Sequence, residues 1–315
     1  MSAETALPGR APRRRGGLTG LLAAAAPAVA GLLPVLVTLV FVGLPVVLAV
    51  LYTLGYTGGL NQPESQLATH QIVAQHGLTL GAWQHIFGEP GFLENLWTTA
   101  WVTVAATVAL VVVAWAIALY IRFATGFGKR IVSSLFVVPI FVPGVISSYA
   151  LVTFWQNHGR LAGILYALGL HTVSLPGGTN VSVVLGLVWT NIPFGVLLIA
   201  AGLQSVPQPY VDAARDASAS WFMIVRTVLF PLAKLPTLVV VTFIAVGTLG
   251  TYTIPEIMGP TSPQMLGVNM ANAYTSYGQP QDAEIMAVLV FLMAIVFSVM
   301  YVRANTAEVR RLERR

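Results

Sequence analysis

The sequence has no cysteine and few charged residues. The absence of cysteine excludes disulfide bonds, thiolate metal sites and cysteine nucleophiles. Only 9% of the 315 residues are charged, whereas 56% are hydrophobic, and the mean hydropathy of +0.78 is far above that of a soluble domain. No linker rich in serine, glycine or proline divides the chain. These features predict one integral membrane domain.

Patterns typical of enzymes and metal sites are also missing. No glycine-rich loop of the phosphate-binding type is present, so we expect the chain itself not to bind ATP. The histidines lie between the apolar runs and lack the i,i+3 or i,i+4 pairing of a helical metal site. An ion shared by His70 and His76 is the alternative to solvated loop histidines, which we favour. We therefore predict no catalytic residue, no metal site and no cofactor in this chain.

Six apolar runs are long enough to cross a hydrocarbon core of about 30 Å, which takes roughly 20 helical residues. They cover residues 27–54, 96–121, 131–156, 181–204, 235–255 and 284–303. Several prolines lie inside them, where neighbouring helices can satisfy the freed carbonyl groups, so we expect kinks and not helix ends. The first run has no convincing cleavage site, which favours a retained span over a signal peptide.

The basic residues predict the orientation of the spans. Fifteen of the sixteen lysines and arginines fall on one face, in the N-terminal tail 1–26, in the second and fourth connections, and in the C-terminal tail 304–315 with Arg303 directly before it; only Arg160 falls on the other face. Both termini are therefore predicted to be cytoplasmic. Nucleic-acid binding by the basic tails is the weaker alternative, because basic residues flank the spans at every cytoplasmic exit.

Two of the three connections on the predicted outer face have distinctive sequences. Residues 55–95 form the longest one, and their low apolarity indicates an exposed loop with little core of its own. Residues 157–180 contain a short helix-like piece, Leu161–Leu170, that is too short to span. We favour a packing role for this piece over a role in receiving a ligand.

The cytoplasmic connection 205–234 is unusually polar and contains "PYVDAARDASASWFMIVRTVLFP". After Pro209, a short helix to Ala217 places Asp212, Arg215 and Asp216 on one polar side, with alanines elsewhere. A turn near Ser218 leads to a second helix with an apolar stripe of Trp221, Phe222, Val225, Val228 and Leu229, ending at Pro231. Two such helices suit a groove on a soluble partner, and a plain interfacial loop is the alternative.

This connection resembles the EAA loop of permease subunits of binding-protein-dependent ABC importers. The family pattern is Glu-Ala-Ala, a glycine six residues after the Glu, and Ile-x-Leu-Pro ten residues later. Here the spacing is kept, with Asp212, Ala213, Ala214, Ser218, Val228, Phe230 and Pro231 at the corresponding positions. Serine replaces the glycine of the turn, so the sequence leaves open whether a positive φ is kept there. The resemblance covers the chain from the first span to residue 303.

The resemblance implies an all-α, six-span fold of the type I importer permeases, multi-pass in the bacterial inner membrane, with residues 27–303 as the permease domain. It also implies a second similar permease, two cytoplasmic ATPase subunits that bind ATP and Mg²⁺, and an extracytoplasmic solute-binding protein. In the family, the loop docks as a coupling helix into a cleft of the ATPase. That role is thereby implied for Asp212, Ala213, Ala214, Asp216, Ala217, Ser218, Trp221, Phe222 and Pro231.

Specific roles follow from residue chemistry. Ala213, Ala214 and Ala217 are expected to be small because the cleft approaches the helix closely, and Asp212 is expected to cap the helix start. Trp221 and Phe222 suit either a membrane interface or a partner contact. Asn191, Tyr252 and Glu256 are the polar candidates for lining the path, although packing is an equal explanation for Asn191.

"GTLGTYTIPEIMGP" and the long first outer loop look most like permeases for spermidine and putrescine. Relatives for phosphonate, ferric iron or sugar are the alternatives, and the outer acids could steer a polyamine or simply complement the basic cytoplasmic face.

A secondary transporter or channel is the alternative from another class, and it should show inverted repeats, half-helices or buried charges. An intramembrane enzyme or assembly scaffold should show paired catalytic residues or a soluble domain.

Overall fold

The computed structural model describes residues 31–170 and 173–313, with side chains described up to residue 306. The predicted basic tail 1–26, the first residues of the first predicted span, His171 and the last two arginines lie outside these residues. Every regular element in the described part is helical, which confirms the all-α class. Contacts divide the described chain into two units, one up to Leu51 and one from Tyr52 onward.

The described residues form fourteen helices, numbered here in chain order. They are α1 (Gly31–Thr53), α2 (Gln62–Leu67), α3 (Gly81–Gly88), α4 (Phe92–Phe123), α5 (Phe127–Phe141), α6 (Gly144–Trp155), α7 (Arg160–Ala167), α8 (Asn180–Gln204), α9 (Gln208–Asp216), α10 (Trp221–Leu232), α11 (Lys234–Leu249), α12 (Thr253–Met258), α13 (Leu266–Thr275) and α14 (Pro280–Glu313).

Four helices are long and apolar enough to cross a membrane by themselves, namely α1, α4, α8 and α14. Two further spans arise only if bent pairs are counted as one span each, which gives up to six. The prolines inside α1 and α8 do not end those helices, as expected. In α1 a π-helical turn, Leu39–Gly43, precedes Pro45. Because proline has no backbone N–H, one helical backbone hydrogen bond is missing at that point.

The predicted third span, 131–156, is not one kinked helix. Its chain breaks between Phe141 and Gly144, and the two helical segments on either side lie at 111° to each other. Pro143 stands at the N-cap of α6 with ψ of 139°, an extended conformation that no helix can continue through. The predicted fifth span is also too long, because α11 ends at Leu249 and residues 253–258 form the separate helix α12.

The central pair of the second unit is α4 and α8. A stripe of small residues lets their backbones approach, as at Gly195, where an added Cβ would lie 3.2 Å from the Cβ of Ala114. The buried cluster at this contact includes Leu110, Val196 and Ile199. It extends to the cytoplasmic connection, so the polar loop and the membrane helices share one core.

The long connection 55–95 is not a loop without a core, contrary to the sequence prediction. Ala82 and Ile86 of α3 are buried together with Leu266, Ala283 and Ile285, from α13 and α14. The side-chain carbonyl of Asn95 accepts a hydrogen bond from the backbone of Gln264, at 2.9 Å. Residues 81–95 are thereby built into an outer layer over the ends of the spans.

The last two predicted elements are partly confirmed. The short piece in 157–180 is a helix, α7, but it contributes no buried residue. The helix that contains the last predicted span is longer than that span, since α14 continues to Glu313 and includes most of the predicted tail 304–315.

Candidate functional site

The loop helix α9 begins where the sequence stops α8. Pro207 takes an extended conformation, with ψ of 135°, and Pro209 fits the first turn, where its missing N–H has no intrahelical partner to lose. Val211 is fully buried in the cluster shared with the membrane helices, and Ala214 packs against the same cluster. One face of α9 therefore rests on the chain's own core.

The other face of α9 is exposed. Asp212, Ala213, Asp216 and Ala217 all lie on it, in line with a surface that a partner could cover. The expectation for Ala214 is corrected, because this residue is half-buried against the chain's own core and does not lie on that open face.

Asp212 does not cap the helix start, contrary to the sequence prediction. The helix begins at Gln208, so Asp212 lies one turn further along. Its carboxylate accepts a hydrogen bond from the Nε2 of Gln208, at 2.9 Å, and lies 3.9 Å from the guanidinium of Arg215. Both contacts are exposed to solvent, where such pairs contribute little to stability.

The end of α9 settles the question about Ser218. Its φ is +60°, so the serine takes the left-handed conformation that a glycine would take. The N–H of Ser218 donates to the carbonyl of Arg215, at 2.8 Å, and that of Ala219 donates to Ala214, at 3.0 Å. This pair of bonds is a Schellman motif, and it turns the chain toward α10.

Helix α10 is capped by the Ser220 hydroxyl, which accepts from the N–H of Met223 at 3.4 Å. Ile224 and Leu229 are its buried residues, so the apolar stripe is shifted from the predicted one. Trp221 is 46% exposed and Phe222 is 72% exposed. Pro231 is also exposed, close to the 73° bend between α10 and α11.

The C-terminal end of α4 holds the loop in place. Arg122 donates from Nη2 to the carbonyl of Val206, at 2.9 Å. The rings of Phe123 and Trp221 meet edge to face with centroids 4.7 Å apart. This role of Arg122 and Phe123 was not predicted, because the excess of basic residues on the cytoplasmic side already explains an arginine at the end of a span.

The three candidates for lining the path lie on two different parts of the chain. Asn191 is half-buried in α8 and donates to the carbonyl of Leu187, at 2.8 Å. Tyr252 and Glu256 are exposed; Tyr252 is the N-cap residue of α12 and Glu256 lies in its first turn, where its N–H donates to the carbonyl of Tyr252. Glu256 therefore lies on a separate short helix and not at the end of the fifth span.

Helix α12 packs closely on α8. A Cβ added to Gly186 would lie 2.6 Å from the sulfur of Met258, and both Ile254 and Met258 are buried there. Glu256 lies on the opposite, open side of the same short helix. An acid is thus held near the central helices with its carboxylate accessible.

Two buried threonines were not predicted. The hydroxyls of Thr103 and Thr107 on α4 have no hydrogen-bond partner among the described residues. Their i,i+4 spacing on an apolar helix is the signal that could have identified them, because it places both hydroxyls on one face.

Residues 111–314 match the family model described as the inner membrane component of binding-protein-dependent transport systems. The matched range covers well over half of the chain and includes the whole loop 205–234. The chain belongs to this family. This permease is therefore a multi-pass protein of the inner membrane.

Curated relatives of the permease differ in the solute they are named for. It is 26% identical to the trehalose/maltose transport system permease MalF of Thermococcus litoralis over 56% of its own length and 63% of that protein. It is 31% identical to the trehalose permease SugA of Mycobacterium tuberculosis, over 60% of each chain. It is 21% identical to the spermidine/putrescine permease PotB of Haemophilus influenzae, over 75% of its own length and 82% of that protein. The first two matches span less than two thirds of those relatives.

A solved structure with the same fold is a bacterial ABC transporter that imports the acidic polysaccharide alginate. One chain of that transporter matches with a TM-score of 0.65 and 16% identity, over 91% of the permease and 98% of that chain. A second structure, of the alginate transporter in complex with its periplasmic protein, matches with a TM-score of 0.69 and 15% identity, over 90% and 95%. At these identities the matches show the fold alone.

Proposed function

We propose that this permease forms half of a path for a small polar solute, which an extracytoplasmic binding protein delivers and which moves inward as partner subunits hydrolyse ATP. The observation that carries the proposal is the position of the loop helix α9. One of its faces packs on the buried cluster that it shares with the membrane helices, and the other is open at the predicted cytoplasmic surface. Such a two-faced helix can receive a displacement from a soluble partner and pass it to the spans.

The partners of the proposal are a second permease chain, two ATPase subunits and a solute-binding protein. ATP and Mg²⁺ would be bound by the ATPase subunits and not by this chain. The alginate transporter, whose structure includes a periplasmic protein, supports the kind of assembly. Asp212, Ala213, Asp216 and Ala217 would contact the ATPase, since they occupy the open face of α9.

A polyamine is the first candidate substrate. Glu256 is an exposed acid on α12, which packs on the central helix α8, and an accessible carboxylate can bind an amine by a charge-assisted hydrogen bond. The relatives that transport spermidine and putrescine include PotB of Haemophilus influenzae. A sugar is the second candidate, supported by the relatives named for trehalose and maltose. In that case Asn191 and Tyr252 are the more suitable groups, because sugars are bound by amides and aromatic hydroxyls.

The test uses the assembled transporter in liposomes with its own binding protein. Spermidine, putrescine and trehalose are compared as stimulators of ATP hydrolysis and as transported solutes. Stimulation by a polyamine that Glu256→Gln reduces about tenfold or more would support the first candidate, whereas trehalose stimulation insensitive to that change would support the second. Transport by the permease alone, without ATPase subunits, would contradict the general proposal.

Asp212→Ala separates coupling from assembly. Its exposed contacts within α9 are weak, so the variant should fold and insert normally. The expected result is a normal yield of the complex with reduced solute-stimulated hydrolysis. Gln208→Ala, which removes the partner of Asp212 but not its charge, is the matched control and should keep stimulated hydrolysis close to wild type.

A further inference from the structure

Three side chains that can ligate a metal meet in the outer layer. They are His85 on α3, Glu89 directly after α3, and Asp282 in the first turn of α14. One ligand atom from each lies within 4.8 Å of the other two, and the Nδ1 of His85 is 3.7 Å from a carboxylate oxygen of Glu89. The ring of His70 lies beside that of His85, with centroids 5.3 Å apart.

Asp282 is the unusual member of this group. Its residue is only 8% exposed, yet its carboxylate has no hydrogen bond and no lysine or arginine ion pair among the described residues. Glu89 places a second carboxylate beside it. Two neighbouring carboxylates repel each other more strongly at a largely buried position than in bulk water, and a cation bound between them would offset that repulsion.

The two acids open onto a cavity that can hold water. It has a volume of about 150 Å³, and its wall includes Glu89 and Asp282 with the polar side chains of Asn95, Asn269 and Tyr277. A bound ion could therefore complete its coordination with water held by these neutral groups. The buried Asp282 and the exposed Glu89 both line this space, and the Nδ1 of His85 lies 3.7 Å from Glu89.

The backbone around the site is fixed by packing. Ala82 and Ile86 of α3 are buried against Ala283, Ile285 and Met286 of α14, so the helices that carry the three ligands share one core. The packing thereby keeps the three side chains close together, and zinc binding would bring their ligand atoms to metal-ligand distances of about 2.0 to 2.2 Å.

We propose that His85, Glu89 and Asp282 bind one divalent transition-metal ion, such as Zn²⁺, which fastens α3 to the start of α14. One imidazole and two carboxylates form a mixed nitrogen and oxygen set, which suits zinc and its neighbours better than calcium or magnesium, whose ligands are oxygen atoms. The site is independent of the solute and of the ATPase. This metal site was not predicted, because the pattern expected of a helical metal site is a pair of histidines. The pattern in this sequence is a His-x-x-x-Glu pair completed by a distant aspartate.

The experiment measures zinc binding by the full-length permease in detergent, with any affinity tag removed and after treatment with a chelator. We expect one Zn²⁺ per chain by equilibrium dialysis with elemental analysis, and a higher unfolding temperature with zinc than without it, because an ion that binds only the folded chain stabilises it. His85→Gln and Asp282→Asn, both close in size to the native residues, should each weaken binding by more than about tenfold. In both variants, zinc should no longer raise the unfolding temperature. Their unfolding temperatures should stay close to that of the metal-free wild type.

His76→Gln is the matched control, since His76 is an exposed histidine of the same connection and not a member of the cluster. It should bind zinc as the wild type does. The proposal is overturned if the double variant His85→Gln/Asp282→Asn binds zinc with unchanged affinity, or if a modest excess of Mg²⁺ displaces the zinc. The second result would identify a simple acidic patch. None of these measurements depends on transport.

Discussion

The indole N–H of Trp115 on α4 donates a hydrogen bond to the hydroxyl of Thr237 on α11, at 3.1 Å, with both residues buried. Thr237 in turn donates to the carbonyl of Ala233, at the break between α10 and α11. This side-chain pair thus connects the central helix α4 to the start of α11, directly after α10.

Thr237→Val should destabilise the permease by about 1 kcal/mol, because it leaves the Trp115 N–H without its acceptor at nearly constant volume. The measurement is the unfolding temperature in detergent. Trp115→Phe removes the donor instead, so the double variant should lose less than the sum of the two single losses. Additive losses would show that the two groups do not interact.

Ser218→Gly should stabilise the permease by about 1 kcal/mol, since the positive φ at this position is unfavourable for a side chain and free for glycine. Ser218→Val should destabilise it, because a β-branched residue tolerates that conformation least. Thermal unfolding of the three proteins provides the test. An equal unfolding temperature for Gly and Ser would mean that the serine is not strained there.

Ala213→Leu and Ala214→Leu form a matched pair one residue apart on α9. Ala213 is exposed, so the larger side chain should leave the unfolding temperature unchanged and reduce co-purification of the ATPase subunit. Ala214 packs against the chain's own core, so leucine there should cost about 1 to 3 kcal/mol of stability through overpacking. If Ala214→Leu unfolds like the wild type yet loses the ATPase, our assignment of the two faces is reversed.

Gly202→Ala should destabilise the contact between α8 and α11. A Cβ at this position would lie 2.5 Å from the Cγ of Pro236 and 2.9 Å from its Cβ, and the proline ring cannot move aside without its backbone. We expect a loss of about 1 to 3 kcal/mol in the free energy of unfolding. Gly247→Ala is the control, because a Cβ there meets no atom within 4 Å, and it should unfold like the wild type.

Long, uniform apolar runs predicted most of the fold. The helices α4 and α8 lie within a few residues of their expected positions, because continuous apolar runs bounded by glycine or proline leave few alternatives. The break at Pro143 and the early end of α11 at Leu249 were missed. Hydropathy measures whether a segment prefers the membrane, but it does not measure whether the backbone continues in one direction.

The candidate site was predictable where local rules apply. The turn near Ser218 was predicted from the spacing of the loop, whereas its positive φ was left open because serine replaces the usual glycine. The burial of Ala214 and the neighbours of Asp212 were not predicted, because they depend on which face of α9 meets the core. The meeting of His85 with Asp282 depends on the packing of α3 against α14, which no periodicity in either segment encodes.

The loop 205–234 contacts the C-terminal end of α4 as well as its own neighbours in sequence. Arg122 of α4 donates to the carbonyl of Val206, and the ring of Phe123 packs against that of Trp221. Helix α9 is consequently linked to the membrane helices in two ways. The peptide chain connects it through α10 to α11, and the side-chain contacts of the loop connect it to α4. A displacement of α9 would therefore act on both α4 and α11.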